Sequence, residues 1–92
     1  MSCIEVELMT QIKAAAGCSA LEIECGAPMP VSNVLAKVVE RCSALESLLL
    51  DESGVRRGWL MVTIDGAMVA RGSDPPVSPG STLLLGTPIA GG

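Results

Sequence analysis

The run PVSNVLAKVVERC, residues 30–42, decides the fold. Its apolar positions Val31, Val34, Leu35, Val38, Val39 and Cys42 follow the i, i+3, i+4, i+7, i+8 spacing of one helix face, while Lys37, Glu40 and Arg41 fall on the solvent side. Either Ser32 or the Pro30–Val31 step opens this helix, and it ends near Cys42 to Ala44. A single amphipathic helix has only one apolar stripe, so it must lie on something flat and apolar. The flanking sequence supplies that surface.

Upstream, CIEVEL (3–8) alternates Ile4, Val6 and Leu8 against Glu5 and Glu7, the period of a half-buried strand. ALEIEC (20–25) repeats the pattern with Leu21, Ile23 and Cys25 against Glu22 and Glu24, so the two runs form a hairpin. Between them QIKAAAG (11–17) is expected to be a helical turn or loop, too short to stand as a helix. GAPMP (26–30) breaks the chain before the helix.

Downstream, LESLLLDESGVRRG (45–58) is a connection with room for one helical turn. WLMVTI (59–64) reads as a strand, Asp65–Gly66 as a hairpin turn, and AMVA (67–70) as a short edge strand. GSDPPVSPG (72–80) carries three prolines and cannot be a central strand, whereas STLLL (81–85) is the last strand. Strands surrounding one principal helix predict an α+β domain, a mixed four- to five-stranded sheet with the helix on one face and a right-handed crossover.

Composition bounds the function. Ninety-two residues make one domain, and 49% hydrophobic residues with a mean hydropathy of +0.51 make it too apolar for disorder. Trp59 is the only aromatic residue, so the core is built from aliphatic side chains, Met, Ala and Cys. A net charge of −4 argues against a nucleic-acid or anionic-membrane surface. The opening MSCIEVELMTQ is acidic without a basic segment, unlike a signal peptide, and no apolar run is long enough to span a bilayer; a cytoplasmic domain is the expectation. Cys3, Cys18, Cys25 and Cys42 form no C-x-x-C pair, and with no histidine present neither a zinc site nor a cysteine–histidine pair is expected. The thiols are expected to be reduced and partly buried fillers.

The final TPIAGG (87–92) contributes little to folding, because glycine has no side chain to bury and the largest backbone entropy to lose. Its use is expected to lie outside the fold. The expected division is a folded body over 1–86 and a C-terminal Gly-Gly tail over 87–92.

Together IEVEL, KAAAG, VLAKVVERC, VTIDG, VSPGST and TPIAGG resemble, in order and over nearly the whole chain, the MoaD/ThiS family of small sulfur carriers, whose fold is the β-grasp or ubiquitin-like fold. The resemblance implies a non-enzymatic carrier, most specifically the small subunit of a molybdopterin synthase. Gly92 would be the reactive residue, adenylated on its carboxyl and converted to a thiocarboxylate, with Gly91, Ala90, Ile89 and Pro88 as the tail that enters a partner. The implied partners are a ubiquitin-activating-type adenylyltransferase and a large synthase subunit or other sulfur acceptor, with ATP and sulfur supplied through the activating partner and no cofactor or metal held by this chain. Alternatives are a carrier for cysteine, thiamine or another thiolation pathway, or a ubiquitin-like modifier joined to lysines.

Such a sheet places the first strand beside the last and the last beside WLMVTI. Ile4, Val6, Leu8, Leu21, Ile23, Leu60, Val62, Ile64, Leu83 and Leu85 then face the helix. On the outer face the hairpin glutamates sit at one end and Trp59, Met61 and Leu84 at the other. These three are the candidate partner-binding residues, since contiguous exposed apolar surface on a small domain marks interaction sites.

Overall fold

In the computed structural model, residues 2–87 are described; Pro88, Ile89, Ala90, Gly91 and Gly92 of the expected 87–92 tail lie outside the described residues, whereas its first residue, Thr87, belongs to the folded body, where it is buried and bonded to Thr10. The elements run β1 Cys3–Leu8, α1 Thr10–Ala16, β2 Ala20–Glu24, β3 Met29–Pro30 and α2 Val31–Arg41, then a 3₁₀ turn Ser43–Leu45 and α3 Glu46–Leu49. They finish with β4 Met61–Ile64, β5 Ala67–Met68, β6 Pro76–Val77 and β7 Thr82–Gly86.

Five strands form one mixed sheet in the order β2-β1-β7-β4-β5. β1 pairs antiparallel with β2, setting Ile4 opposite Ile23, and parallel with β7, setting Val6 opposite Leu83 and Leu8 opposite Leu85. β7 runs antiparallel to β4, Val62 facing Leu85. The first and last strands are therefore central neighbours, as expected. Their parallel pairing requires the long crossover that α2 occupies.

α2 lays Val31, Val34, Leu35 and Val38 onto the sheet, where they meet Ile4, Val6, Leu8, Ile23, Leu60, Val62, Leu83 and Leu85, all buried. Leu21 and Ile64 pack at the margin of this core. The spacing reading of residues 30–42 is borne out: Pro30 is the residue before the helix, Val31 the first inside it, and Lys37, Glu40 and Arg41 are exposed. Arg41 also donates from Nη1 to the Glu22 carbonyl at 3.0 Å, tying the helix to the edge strand β2.

Three local readings need correction. Residues 10–16 do form a helix, because burial of Ile12 and a left-handed Gly17 (φ 76°) that donates its N–H to the Lys13 carbonyl offset its shortness. The GAPMP break contains a strand: Met29 pairs with Val77 and Pro30 with Pro76 in a separate two-stranded ribbon, a pairing between distant segments with no local signature. The strand expected from Trp59 begins at Met61, because the Leu60 N–H is turned back to the Arg57 carbonyl at 3.1 Å. The Asp65–Gly66 turn is as expected; both residues have positive φ (50° and 89°), the type I′ geometry that follows strand twist. The 45–58 connection holds α3, and the 3₁₀ turn before it and α3 bury Leu45 and Leu49.

Candidate functional site

β7 lies in the middle of the sheet and carries the chain toward its C-terminus, so the surroundings of its last residues define where any C-terminal group is presented. Gly86 is opposite Met61, and a side chain there would lie in contact with Met9, whose Cβ is 3.4 Å from the position a Gly86 Cβ would take. Thr87 is buried, with 9% exposure. Its N–H donates to the Thr10 hydroxyl oxygen at 3.1 Å, and the two threonine Oγ1 atoms lie 2.8 Å apart. The Thr10 hydroxyl in turn donates to the Met9 carbonyl at 2.7 Å. The Met9 N–H extends the β1–β7 ladder by bonding the Leu85 carbonyl at 2.9 Å.

Thr10 sits at φ 53°. For a β-branched residue that region costs on the order of 1–3 kcal/mol, and the surrounding structure must over-determine it. The sequence reading did not single out Met9, Thr10 or their bonds to Thr87. Nothing near Thr10 signals left-handed backbone, which in a sequence is announced by glycine or asparagine.

Outward-facing positions are set by the register. Glu5 opposes Glu22 and Cys3 opposes Glu24 at the β1–β2 end, and Leu84 lies between Glu7 and Thr63. Met61, two residues along β4 from Thr63, is the diagonal neighbour of Leu84 on the same face. Met61 is 37% exposed and Trp59 39% exposed, so the 45–58 connection does not cover them. Leu84 is half-buried. The structure thus brings Met61 and Leu84 together beside the end of β7. Trp59, in the turn before β4, lines with Met61 a groove of about 860 Å³ toward the β5 side, with Leu35, Leu60, Met68 and Arg71 among its walls.

Arg56 and Arg57 are half-buried braces. Arg56 Nη2 donates to the carbonyls of Ala70 and Ser73 at 2.9 and 3.1 Å, and Arg57 Nε donates to the Ser47 carbonyl at 2.9 Å. They hold the loops around the groove in place.

Two carboxyls are held below the usual aspartate range. For Asp65 the chief cause is the Thr82 N–H, which bonds its Oδ1 at 2.9 Å, followed by the Ser81 hydroxyl. For Asp74 it is the Ser32 hydroxyl and then the Ser32 N–H, at 2.6 and 2.8 Å. Both carboxyls brace the fold, pinning β7 to the hairpin turn and capping α2; neither faces the end of β7.

All four cysteines are unpaired thiols, Cys25 buried and the others half-buried, in keeping with a filler role. Among the described residues no cluster of His, Cys, Asp or Glu could hold a metal ion, and no helix is long and apolar enough to cross a membrane.

No protein-family model matches the sequence, and no curated protein matches it either. Solved structures do. The chain superimposes on SAMP1 from Haloferax volcanii with a TM-score of 0.85 at 24% identity, covering 98% of this chain and 99% of that one. It matches Urm1 from Trypanosoma brucei at 0.76 and 17% identity (99% and 96% covered). It also matches a putative molybdopterin converting factor subunit 1 from Pyrococcus furiosus at 0.72 and 15% identity (97% and 100% covered). The fold is the β-grasp. In this β-grasp domain the core, the strand order and the single long helix all agree with the expectation drawn from the sequence. The resemblance to the MoaD/ThiS type holds at the level of fold, since a molybdopterin converting factor subunit stands among the structures of the same shape.

Proposed function

We propose that this chain is a ubiquitin-like carrier whose chemistry resides in its C-terminal carboxyl group. The observation that carries the reading is the route of β7: a central β-grasp strand leads through a buried, hydrogen-bonded Thr87 directly into Pro88-Ile89-Ala90-Gly91-Gly92. The body is a rigid support and the glycines are the delivered part. Residues without Cβ atoms fit a narrow channel in a partner's active site, which bulkier residues would block.

In this reading the Gly92 carboxylate attacks the α-phosphate of ATP bound by a ubiquitin-activating-type enzyme. The products are a glycyl-adenylate and pyrophosphate. The terminal sulfur of a donor persulfide then displaces AMP to give an acyl disulfide, and a second thiol of the partner cleaves its S–S bond, leaving a terminal thiocarboxylate on this chain and a disulfide on the partner. The partner provides phosphate-binding groups and metal, so this chain contributes the nucleophilic carboxylate and no catalytic side chain. Met61 and Leu84, with Trp59 next to them, are the surface on which the partner seats while the tail is inserted. The acceptor proposed is the large subunit of a molybdopterin synthase, with this chain as its non-catalytic small subunit in the cytoplasm.

A second reading keeps the activation and changes the product. The higher likeness to SAMP1, a small archaeal modifier protein, than to the molybdopterin converting factor subunit favours a modifier joined to a lysine through an isopeptide bond. Mass spectrometry of the chain recovered from its native host separates the two. Replacement of one terminal oxygen by sulfur adds about 16 Da, whereas a modifier is found as branched peptides on lysines of other proteins. A terminus that is always an unmodified carboxylate, in free chain and conjugate fractions alike, refutes both.

A further inference from the structure

Among the described residues, backbone strain is concentrated at one position with no evident need for it. The chain leaves β1 at Leu8 and enters α1 at Thr10 while the Met9 N–H stays on the Leu85 carbonyl, and Thr10 makes that corner at φ 53°. Glycine adopts such a corner without strain. The other described residues with positive φ are glycines and Asp65 of the type I′ turn, where local chemistry accounts for the geometry. Thr10 has no such excuse, and its side chain shows what it supplies instead.

A threonine hydroxyl has one hydrogen to give and two lone pairs to fill. The Thr10 hydrogen goes to the Met9 carbonyl at 2.7 Å, and one lone pair receives the Thr87 N–H at 3.1 Å. The other is then filled by the Thr87 hydroxyl, 2.8 Å away. All three capacities are used, and two of them are spent on the last residue before the tail. Glycine at position 10 keeps the corner and loses every one of these bonds.

We propose that Thr10 is a positioning residue for C-terminal transfer: it clamps Thr87 and so fixes the point from which the last five residues reach into a partner. This role rests on the carrier reading given above. Five residues extend at most roughly 17 Å from that point. With Thr87 already fixed relative to the Met61–Leu84 surface, a partner that seats on that surface need not also fix the point where the last five residues begin, so less conformational freedom is lost on binding. Small misplacement of a reacting group costs rate steeply, so a fixed origin is worth strain elsewhere in the fold.

The test compares Thr10→Gly and Thr10→Ser in the full-length chain. Thr10→Gly relieves the strain and folds, while Thr10→Ser keeps the hydroxyl. The expected results for Thr10→Gly are an unchanged or slightly higher unfolding midpoint, a Thr87 amide that exchanges with solvent about tenfold faster, and a several-fold smaller share of chain modified at Gly92 in the native host. Thr10→Ser restores both the slow exchange and the modified share. Unchanged Thr87 exchange in Thr10→Gly overturns the clamp. Faster exchange with a modified share equal to wild type overturns the positioning role alone. A wild-type chain with no modification at Gly92 overturns the carrier reading itself and this role with it, so the two failures are distinguishable.

Discussion

Asp74 shows how a single residue in a loop decides whether the principal helix starts cleanly. α2 opens after Pro30, which offers no side-chain cap, so the first N–H groups of the helix need partners from elsewhere. The Val31 N–H finds the Pro75 carbonyl at 3.1 Å and the Ser32 N–H finds Asp74 Oδ1 at 2.8 Å. The carboxylate thus does from a distant loop what a capping residue does locally, and its charge suits the positive end of the helix. Replacing Asp74 with Ala is expected to destabilise the fold by about 1 kcal/mol in chemical denaturation. The pH dependence has a definite sign. Hydrogen bonds hold the Asp74 and Asp65 carboxyls below their unfolded values, so their stabilisation is complete above about pH 4 and disappears as pH falls through the lower folded values. Unfolding midpoints measured from pH 6 downward should fall most steeply below about pH 4, and Asp74→Asn should flatten that slope.

At the scale of elements, the sheet and α2 rest on burial that is visible as periodicity. Leu35 is fully buried between helix and sheet, and Leu35→Ala is expected to cost about 2–5 kcal/mol, read as a lower denaturant midpoint at unchanged slope. The period of 2 in CIEVEL and ALEIEC, the helical period from Val31, and the Asp65–Gly66 turn each carry their structure in adjacent residues, so all of them were legible without coordinates. What escaped is what depends on distant partners. β3 exists only because Val77 comes to Met29, and α1 stands because the core accepts Ile12. The bracing by Arg56 and Arg57 requires carbonyls in other loops. Of the candidate site, the Met61–Leu84 neighbourhood followed from strand parity plus the strand order. The Thr10–Thr87 contact joins residues 77 positions apart and uses a backbone geometry that threonine does not advertise, so no local pattern could reveal it.

In the proposed reading the whole molecule divides its labour between the β-grasp body and a C-terminus delivered to partners, and that division has measurable consequences. Trp59 and Met61 are only 39% and 37% exposed, so exchanging both for serine also uncovers apolar area and should lower stability by about 2–4 kcal/mol, a loss that denaturation reads separately from partner capture. Gly91 and Gly92 have no side chains to pack, and their deletion should leave the unfolding midpoint where it was. On a partner the two changes must act differently. Loss of Trp59 and Met61 removes the apolar seat and should weaken capture of the activating enzyme while leaving a chemically competent terminus, so that a large excess of carrier restores Gly92 modification. Loss of the glycines leaves the seat intact and removes the reactive group, so the truncated chain should still bind the partner and compete with the full-length chain, yet no excess should yield a modified product. An inhibition assay with truncated chain added to wild type reads this directly. A truncated chain that neither binds nor inhibits would place the recognition energy in the tail instead of on the Met61–Leu84 surface. A serine double variant with full activity at limiting concentration would show that the exposed apolar end of the sheet has no part in recognition.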